Sequence, residues 1–189
     1  MVLLRVIYVS TGIKGIPEGR REGDGSMEYE SKRADDSLET VLARYADMVY
    51  RLAFSRTLNR ADADDILQEV FLRYIRYAGD FSDEAHRKAW LLRVTLHCST
   101  SLLRSAWRRH TTALSDTLCC HMQEKSQVYY AVMALPCKYR TIIHLYYYEE
   151  LSVKEIGQML NLNESTVKSR LHRGRGLLRE NLKEGYDDV

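Results

Sequence analysis

From Asp36 onward, apolar side chains return at a helical period. Leu38, Val41, Leu42, Tyr45, Met48, Val49 and Leu52 form one stripe, predicting a first helix that ends near Thr57. Asn59 and Arg60 make the turn. Asp62 then opens a second helix that carries Ile66, Val70, Phe71, Tyr74 and Ile75 inward and leaves Asp64, Asp65, Gln68, Glu69 and Leu72 largely outward. Gly79 to Asp83 is a predicted loop. In the following segment, from His86 to His110, Trp90, Leu91, Val94, Leu102 and Leu103 supply a buried side. The period fails between about Thr111 and Ser126, which reads as a linker. Val128 to Leu135 then predicts a short helix. Pro136 suits the first turn of the next, whose stripe is Tyr139, Ile142, Ile143 and Tyr146; Tyr146, Tyr147 and Tyr148 cannot all be buried.

The strongest local pattern lies between Leu151 and Arg175 and predicts a helix-turn-helix. Ser152 and Glu155 have capping-box spacing, Val153, Ile156, Gly157 and Leu160 form a stripe, and Asn161 can take the left-handed turn conformation. Asn163 caps a second helix with Glu164 in its first turn, and the last helix is expected to reach about Leu182. In it Val167, Leu171, Gly174 and Leu178 face one way, whereas Ser165, Lys168, Ser169, His172 and Arg173 face the other. The charged residues from Ser165 through Arg179 are Lys168, Arg170, Arg173, Arg175 and Arg179, all basic. A solvated surface helix usually mixes both signs, so a one-signed face points to phosphates and base edges.

A second one-signed stretch precedes it. The segment from His86 to His110 holds Arg87, Lys88, Arg93, Arg104, Arg108 and Arg109, no carboxylate, and Trp90 and Trp107. Cations that follow a backbone, interleaved with π faces, suit single-stranded DNA; the plain alternative is that the tryptophans are core, which fits Trp90 best.

Composition narrows the class. The 189 residues are 45% hydrophobic and 29% charged, with only Pro17 and Pro136 to interrupt helices, which favours an all-α protein. Net charge is only +2, from 28 basic and 26 acidic residues, so charge is segregated along the chain rather than in excess. The opening MVLLRVIYV is too short to span a membrane, and a cytoplasmic protein is expected. Residues 1–35 are glycine-punctuated and aperiodic, a disordered leader; the purine-codable RREGDG before Met27 suggests that translation starts at Met27. Cys98, Cys119, Cys120 and Cys137 lack CxxC spacing, which leaves a metal or thiol site at Cys119, Cys120 and His121 as the weaker alternative to reduced thiols. No phosphate-binding loop, supported Ser/His/Asp set or HExxH motif occurs, so neither an enzyme nor a cofactor is expected.

The run TVKSRLHRGRGLLRENL, with ALP, EEL and EIG upstream, resembles the promoter-reading carboxy-terminal domain of bacterial sigma factors, nearest to the extracytoplasmic-function type. The resemblance extends over about Asp36 to Lys183. It implies two small helical domains joined by a flexible linker, 36–110 and 127–185 about a linker at 111–126, the second a helix-turn-helix of winged-helix-like type. Ser165, Thr166, Lys168, Ser169, Arg170, His172 and Arg173 would then read the minus-thirty-five element. DADDILQEVFL resembles the segment that grips core RNA polymerase, which assigns Asp65, Gln68, Glu69 and Leu72 to that partner. The basic tryptophan segment resembles the region that opens the minus-ten element, with Arg87, Lys88, Arg93 and Arg104 on phosphates or bases, Trp90 and His97 beside them, and Phe81 at a pocket rim. His97 and Ser101 stand where the family usually has Asn and Asp, which alters the expected base preference. The implied partners are core RNA polymerase, promoter DNA and an anti-sigma protein. A stand-alone helix-turn-helix regulator is the alternative.

Overall fold

The computed structural model describes residues 37–77, 80–108 and 127–187. Among the described residues there are seven helices and no strand: α1 (Leu38–Thr57), α2 (Arg60–Arg76), α3 (Glu84–Arg108), α4 (Gln127–Met133), α5 (Cys137–Tyr147), α6 (Val153–Leu160) and α7 (Glu164–Asp187). The expected leader at 1–35, the start at Met27, the linker at 111–126 and the Cys119, Cys120 and His121 group lie outside the described residues. Ser37 to Tyr45 belong to one compact unit and the chain from Ala46 onward to another. In the first, the Thr40 amide donates to Ser37 Oγ at 3.2 Å, which caps the start of α1, and Val41 and Tyr45 are buried.

In the second unit, α1 continues with Met48, Val49, Leu52 and Ala53 buried and closes at Leu58, whose φ of 54° ends the helix in a left-handed turn. Asn59 is not merely a turn residue: its side chain accepts from the Asp62 amide at 3.1 Å, so α2 starts at Arg60, two residues earlier than the pattern suggests. Helix α2 buries Ala63, Ile66, Leu67, Val70 and Phe71 and packs on α3, which buries Leu91, Leu92 and Leu96. Ile75, expected inward, is 45% exposed. At 3.6 residues per turn it has drifted off the Ala63–Leu67–Val70 line, and Leu67 holds the core position instead.

Helices α4, α5 and α6 pack on α7 around Ala131, Val132, Leu135, Ile142, Ile143, Leu145, Ile156, Val167 and Leu171. Helix α4 ends at Met133 rather than Leu135 because the buried Arg140 reaches back from α5. Its Nη1 donates to the Met133 and Leu135 carbonyls at 2.7 and 2.6 Å, satisfying acceptors that another helical turn would have used. Val128, expected to begin this helix, is 47% exposed. Helix α7 runs to Asp187, beyond the expected end at Leu182.

The helix-turn-helix forms as its caps dictate. The Glu155 amide donates to Ser152 Oγ at 3.2 Å, and the Ser152 amide donates to the Glu155 carboxylate at 2.8 Å. These side-chain and backbone hydrogen bonds from Ser152 hold the Glu155 carboxyl below its ordinary pKa, so this contribution is present at neutral pH and fades as pH falls through that lowered value. Ser152→Ala is expected to cost about 1 kcal/mol of unfolding free energy, measurable by urea denaturation at pH 7; an unchanged midpoint would count against the cap. Asn161 takes φ 53° and ψ 50°, and the Leu162 amide donates to the Gly157 carbonyl at 2.8 Å. A Cβ on Gly157 would sit 2.8 Å from the Leu162 carbonyl oxygen. The glycine therefore lets the turn, more than the next helix, come close.

Candidate polymerase and nucleic-acid interfaces

Helix α7 sorts its residues cleanly. The side chain of Asn163 accepts from the Thr166 amide at 2.7 Å and fixes the start of the helix. Val167, Leu171 and Gly174 then turn inward, and a Cβ on Gly174 would meet Ile143 Cγ1 at 3.3 Å. With that side seated on α5, Ser165, Lys168, Ser169, His172 and Arg173 are brought together on the exposed side. Thr166 and Arg170 lie at the edges, half-buried. Lys168 has Glu164 at 3.8 Å, but both are well exposed, so the pair holds the cation weakly and leaves it free to meet a phosphate. Arg175 is engaged elsewhere. Its Nε donates to Tyr147 Oη at 2.8 Å, and its guanidinium lies 5.5 and 5.6 Å from the Tyr146 and Tyr147 ring centres. The three consecutive tyrosines thus have a use beyond the core: Tyr147 and Tyr148 are exposed, and the first two hold a basic residue of the next-but-one helix.

The candidate melting surface has two parts. Around Phe81 stands an aromatic cluster with Tyr74 at 5.7 Å, Tyr77 at 5.1 Å and Trp90 at 5.8 Å between ring centres. Tyr77 also lies 5.0 Å from Trp90. Phe81 and Trp90 are half-buried and Tyr77 is exposed, which leaves π surface on which an unstacked base can lie. The helical period predicts Tyr74 inward and does not single out Tyr77, whereas in the fold Tyr74 is half-buried and Tyr77 exposed. The signal was there in the aromatic spacing Tyr74, Tyr77, Phe81, which runs across the end of α2 into the loop. The second part is a line of exposed residues on α3, Arg93, His97 and Arg104, separated by whole numbers of turns.

Arg87 and Lys88 are not on that line. Arg87 is buried, bonded to the Glu84 carboxylate and set 5.5 Å from the Phe81 ring centre, where it braces the aromatic cluster. Lys88 points to another side of α3 and donates to the Glu149 carbonyl at 3.1 Å.

The acidic face of α2 is partly self-paired. Asp65 is exposed, whereas Gln68, Glu69 and Leu72 are half-buried, and Glu69 accepts from Arg73 Nε at 2.7 Å. Arg73 in turn lies 3.4 Å from His97 Nδ1, so the α2 face and the α3 line adjoin.

Two family descriptions cover both halves of this arrangement: residues 41–109 match Sigma-70 region 2, and residues 125–178 match Sigma-70 region 4. The chain belongs to the extracytoplasmic-function sigma factors. It is 29% identical over 174 aligned positions to the ECF RNA polymerase sigma factor SigW of Bacillus subtilis, covering 81% of this chain and 93% of the relative. It is 32% identical over 159 positions to SigE of Mycolicibacterium smegmatis, covering 77% and 62% of the two chains. Among solved structures, the sigma factor RpoE in complex with the anti-sigma factor NepR from Bartonella quintana has the same fold, with a TM-score of 0.66 over 79% of this chain and 98% of the other at 19% identity. CnrH in complex with the cytosolic domain of CnrY gives 0.55, over 82% and 95%, at 21% identity. As a sigma factor the protein binds core RNA polymerase and directs promoter-specific initiation; the presence of region 2 beside region 4 disfavours the stand-alone regulator. The family is not one of enzymes. Among the described residues no helix is long and apolar enough to cross a membrane.

Proposed function

We propose that this sigma factor divides promoter recognition between its two helical halves, residues 36–110 and 127–185, working in the cytoplasm. Asp65, Gln68, Glu69 and Leu72 of α2 dock on core polymerase. The aromatic cluster at Phe81 and Trp90 receives an extruded base of the minus-ten element while Arg93, His97 and Arg104 follow the strand. Arg87 supports that cluster from beneath, through Phe81. Helix α7 reads the minus-thirty-five element as duplex through Ser165, Lys168, Ser169, His172 and Arg173, flanked by Thr166 and Arg170. The observation that carries this is the exposed face of α7, whose charges from Ser165 through Arg179 are all basic, set over a buried Val167–Leu171–Gly174 side. Melting draws on binding: unpairing costs a few kcal/mol per base, offset by stacking of roughly 1–3 kcal/mol on an aromatic face and by backbone contacts. An anti-sigma protein is the natural antagonist, since the relatives RpoE and CnrH are seen bound to NepR and CnrY.

Transcription by purified bacterial core polymerase on a pool of random promoter fragments, with and without this protein, tests the proposal. Protein-dependent initiation at a shared two-part sequence is expected; tight duplex binding by the protein alone with no initiation would overturn it. In the same assay the double change Gln68→Ala, Glu69→Ala should weaken core binding about tenfold whatever the promoter. Equal loss on free DNA would move those two residues to a DNA surface.

A further inference from the structure

Arg73 of α2 joins the two candidate surfaces of the first helical half. Its Nε donates to the Glu69 carboxylate at 2.7 Å, and its Nη1 lies 3.4 Å from His97 Nδ1 on α3. The hydrogen bond to Glu69 holds Arg73 above its ordinary pKa, so it is a cation throughout the working range of pH. It also reaches toward Cys98, the next residue after His97: burial pushes that thiol's pKa up, and the Arg73 charge opposes the rise. The guanidinium is therefore held by a carboxylate of its own helix and laid against α3 at His97.

Elementary chemistry then fixes the histidine. A guanidinium has N–H donors and no acceptor. In a hydrogen bond with it, Nδ1 must be the acceptor, through its ring lone pair. An imidazole that accepts at Nδ1 carries its one proton at Nε2. His97 is exposed, on the line of α3 that holds Arg93 one turn before it and Arg104 two turns after it. Along that line the order is cation, neutral donor, cation. The cations match phosphates whatever the sequence, whereas a single neutral N–H is matched only by an acceptor. An asparagine in this place would offer donor and acceptor side by side and could pair with adenine. With Nδ1 occupied by Arg73, His97 offers the donor alone.

We infer that Arg73 is a positioning residue that fixes His97 as a donor at Nε2, and that His97 thereby selects a keto base, thymine or guanine, over an amino base, adenine or cytosine, at one position of the opened minus-ten strand. Thymine O4 and guanine O6 accept in the place where adenine N6 and cytosine N4 present donors. A keto base closes the hydrogen bond; an amino base sets donor against donor and leaves both unpaired. The selection rests on the placing of α3 along that strand proposed above; the tautomer is a property of the free chain.

Two measurements on the full chain test it. In the first, preformed holoenzyme transcribes templates in which each minus-ten position carries each of the four bases, so that the ratio between templates cancels any change in core binding. At one position wild type should favour both keto bases over both amino bases by about three- to tenfold, the order of one neutral hydrogen bond. Arg73→Met keeps the length of the side chain without a donor and should bring that ratio to within about twofold, with preference at other positions retained. In His97→Ala the ratio is already lost, and adding Arg73→Met should change it no further. Preference that survives Arg73→Met, or an equal effect of Arg73→Met with and without His97, overturns the positioning role. In the second, proton–nitrogen correlation spectra of the imidazoles at about pH 8.5, above the ordinary imidazole range, should place the His97 proton on Nε2. A proton on Nδ1 would overturn the donor assignment. The two readings fail differently. A wild-type holoenzyme with no base preference anywhere in the minus-ten element would sink the placing of α3, and the keto selection with it. Preference for adenine or cytosine at the position that His97→Ala affects would leave that placing intact and overturn the donor alone.

Discussion

Arg173→Ala is expected to lower initiation from the protein's own promoter by about 5- to 150-fold, the range that about 1–3 kcal/mol represents. Arg173 stands on the exposed side of α7, one turn on from Ser169 and beside His172. No described residue ties it down, in contrast to Arg175, whose Nε is spent on Tyr147. A guanidinium presented this way from a rigid helix can bond a guanine edge bidentately, and losing that contact removes discrimination as well as affinity. The check is a promoter series with each base of the minus-thirty-five element changed in turn. Wild type should discriminate at one position where the variant does not. If the variant instead loses affinity evenly across the series and its salt slope falls by about one, Arg173 holds a phosphate and the base is read by a neighbour.

The second large effect is on the scaffold. Ile156 is fully buried where α6 and α7 meet, and Ile156→Ala should cost about 2–5 kcal/mol. Against the roughly 0.05–0.15 kcal/mol per residue that a domain of this size holds in reserve, that is enough to unfold much of the carboxy-terminal half. The expected pattern is a lowered urea midpoint, loss of dependence on the minus-thirty-five element and retained binding to core polymerase through α2. A loss below 1 kcal/mol would mean that the α6–α7 junction repacks around the gap, and the turn would then be less rigid than its caps indicate.

Much of this was legible before any coordinates. The helix-turn-helix follows from local chemistry: Ser152 and Glu155 cap each other, Asn161 accepts a left-handed turn, and Asn163 begins the next helix, all within a few residues. The stripes of α1, α2 and α7 are equally local, because a 3.6-residue period identifies the buried side without knowledge of what covers it. Element ends were less accurate. Helix α4 stops early because Arg140, seven residues beyond Met133, takes its carbonyls, and Ile75 falls outside the core by a drift that matters only once α3 is in place. The basic residues of α3 were the hardest to sort. As letters, Arg87, Lys88, Arg93 and Arg104 are one positively charged run; in the fold, Arg87 braces Phe81, Lys88 meets Glu149, and Arg93 and Arg104 face out with His97.

Sequence alone therefore determined the all-helical class, the helix-turn-helix and the one-signed face of α7, since each depends on interactions spanning a turn or two of helix. Tertiary structure decided which cations are free and which are spent. A guanidinium or ammonium is claimed by whichever carbonyl, hydroxyl, carboxylate or ring packing brings within about 3–6 Å, and for Lys88 and Arg175 that partner lies 61 and 28 residues away along the chain. The contacts of Arg73 with His97 and of Lys88 with Glu149 could be found only there.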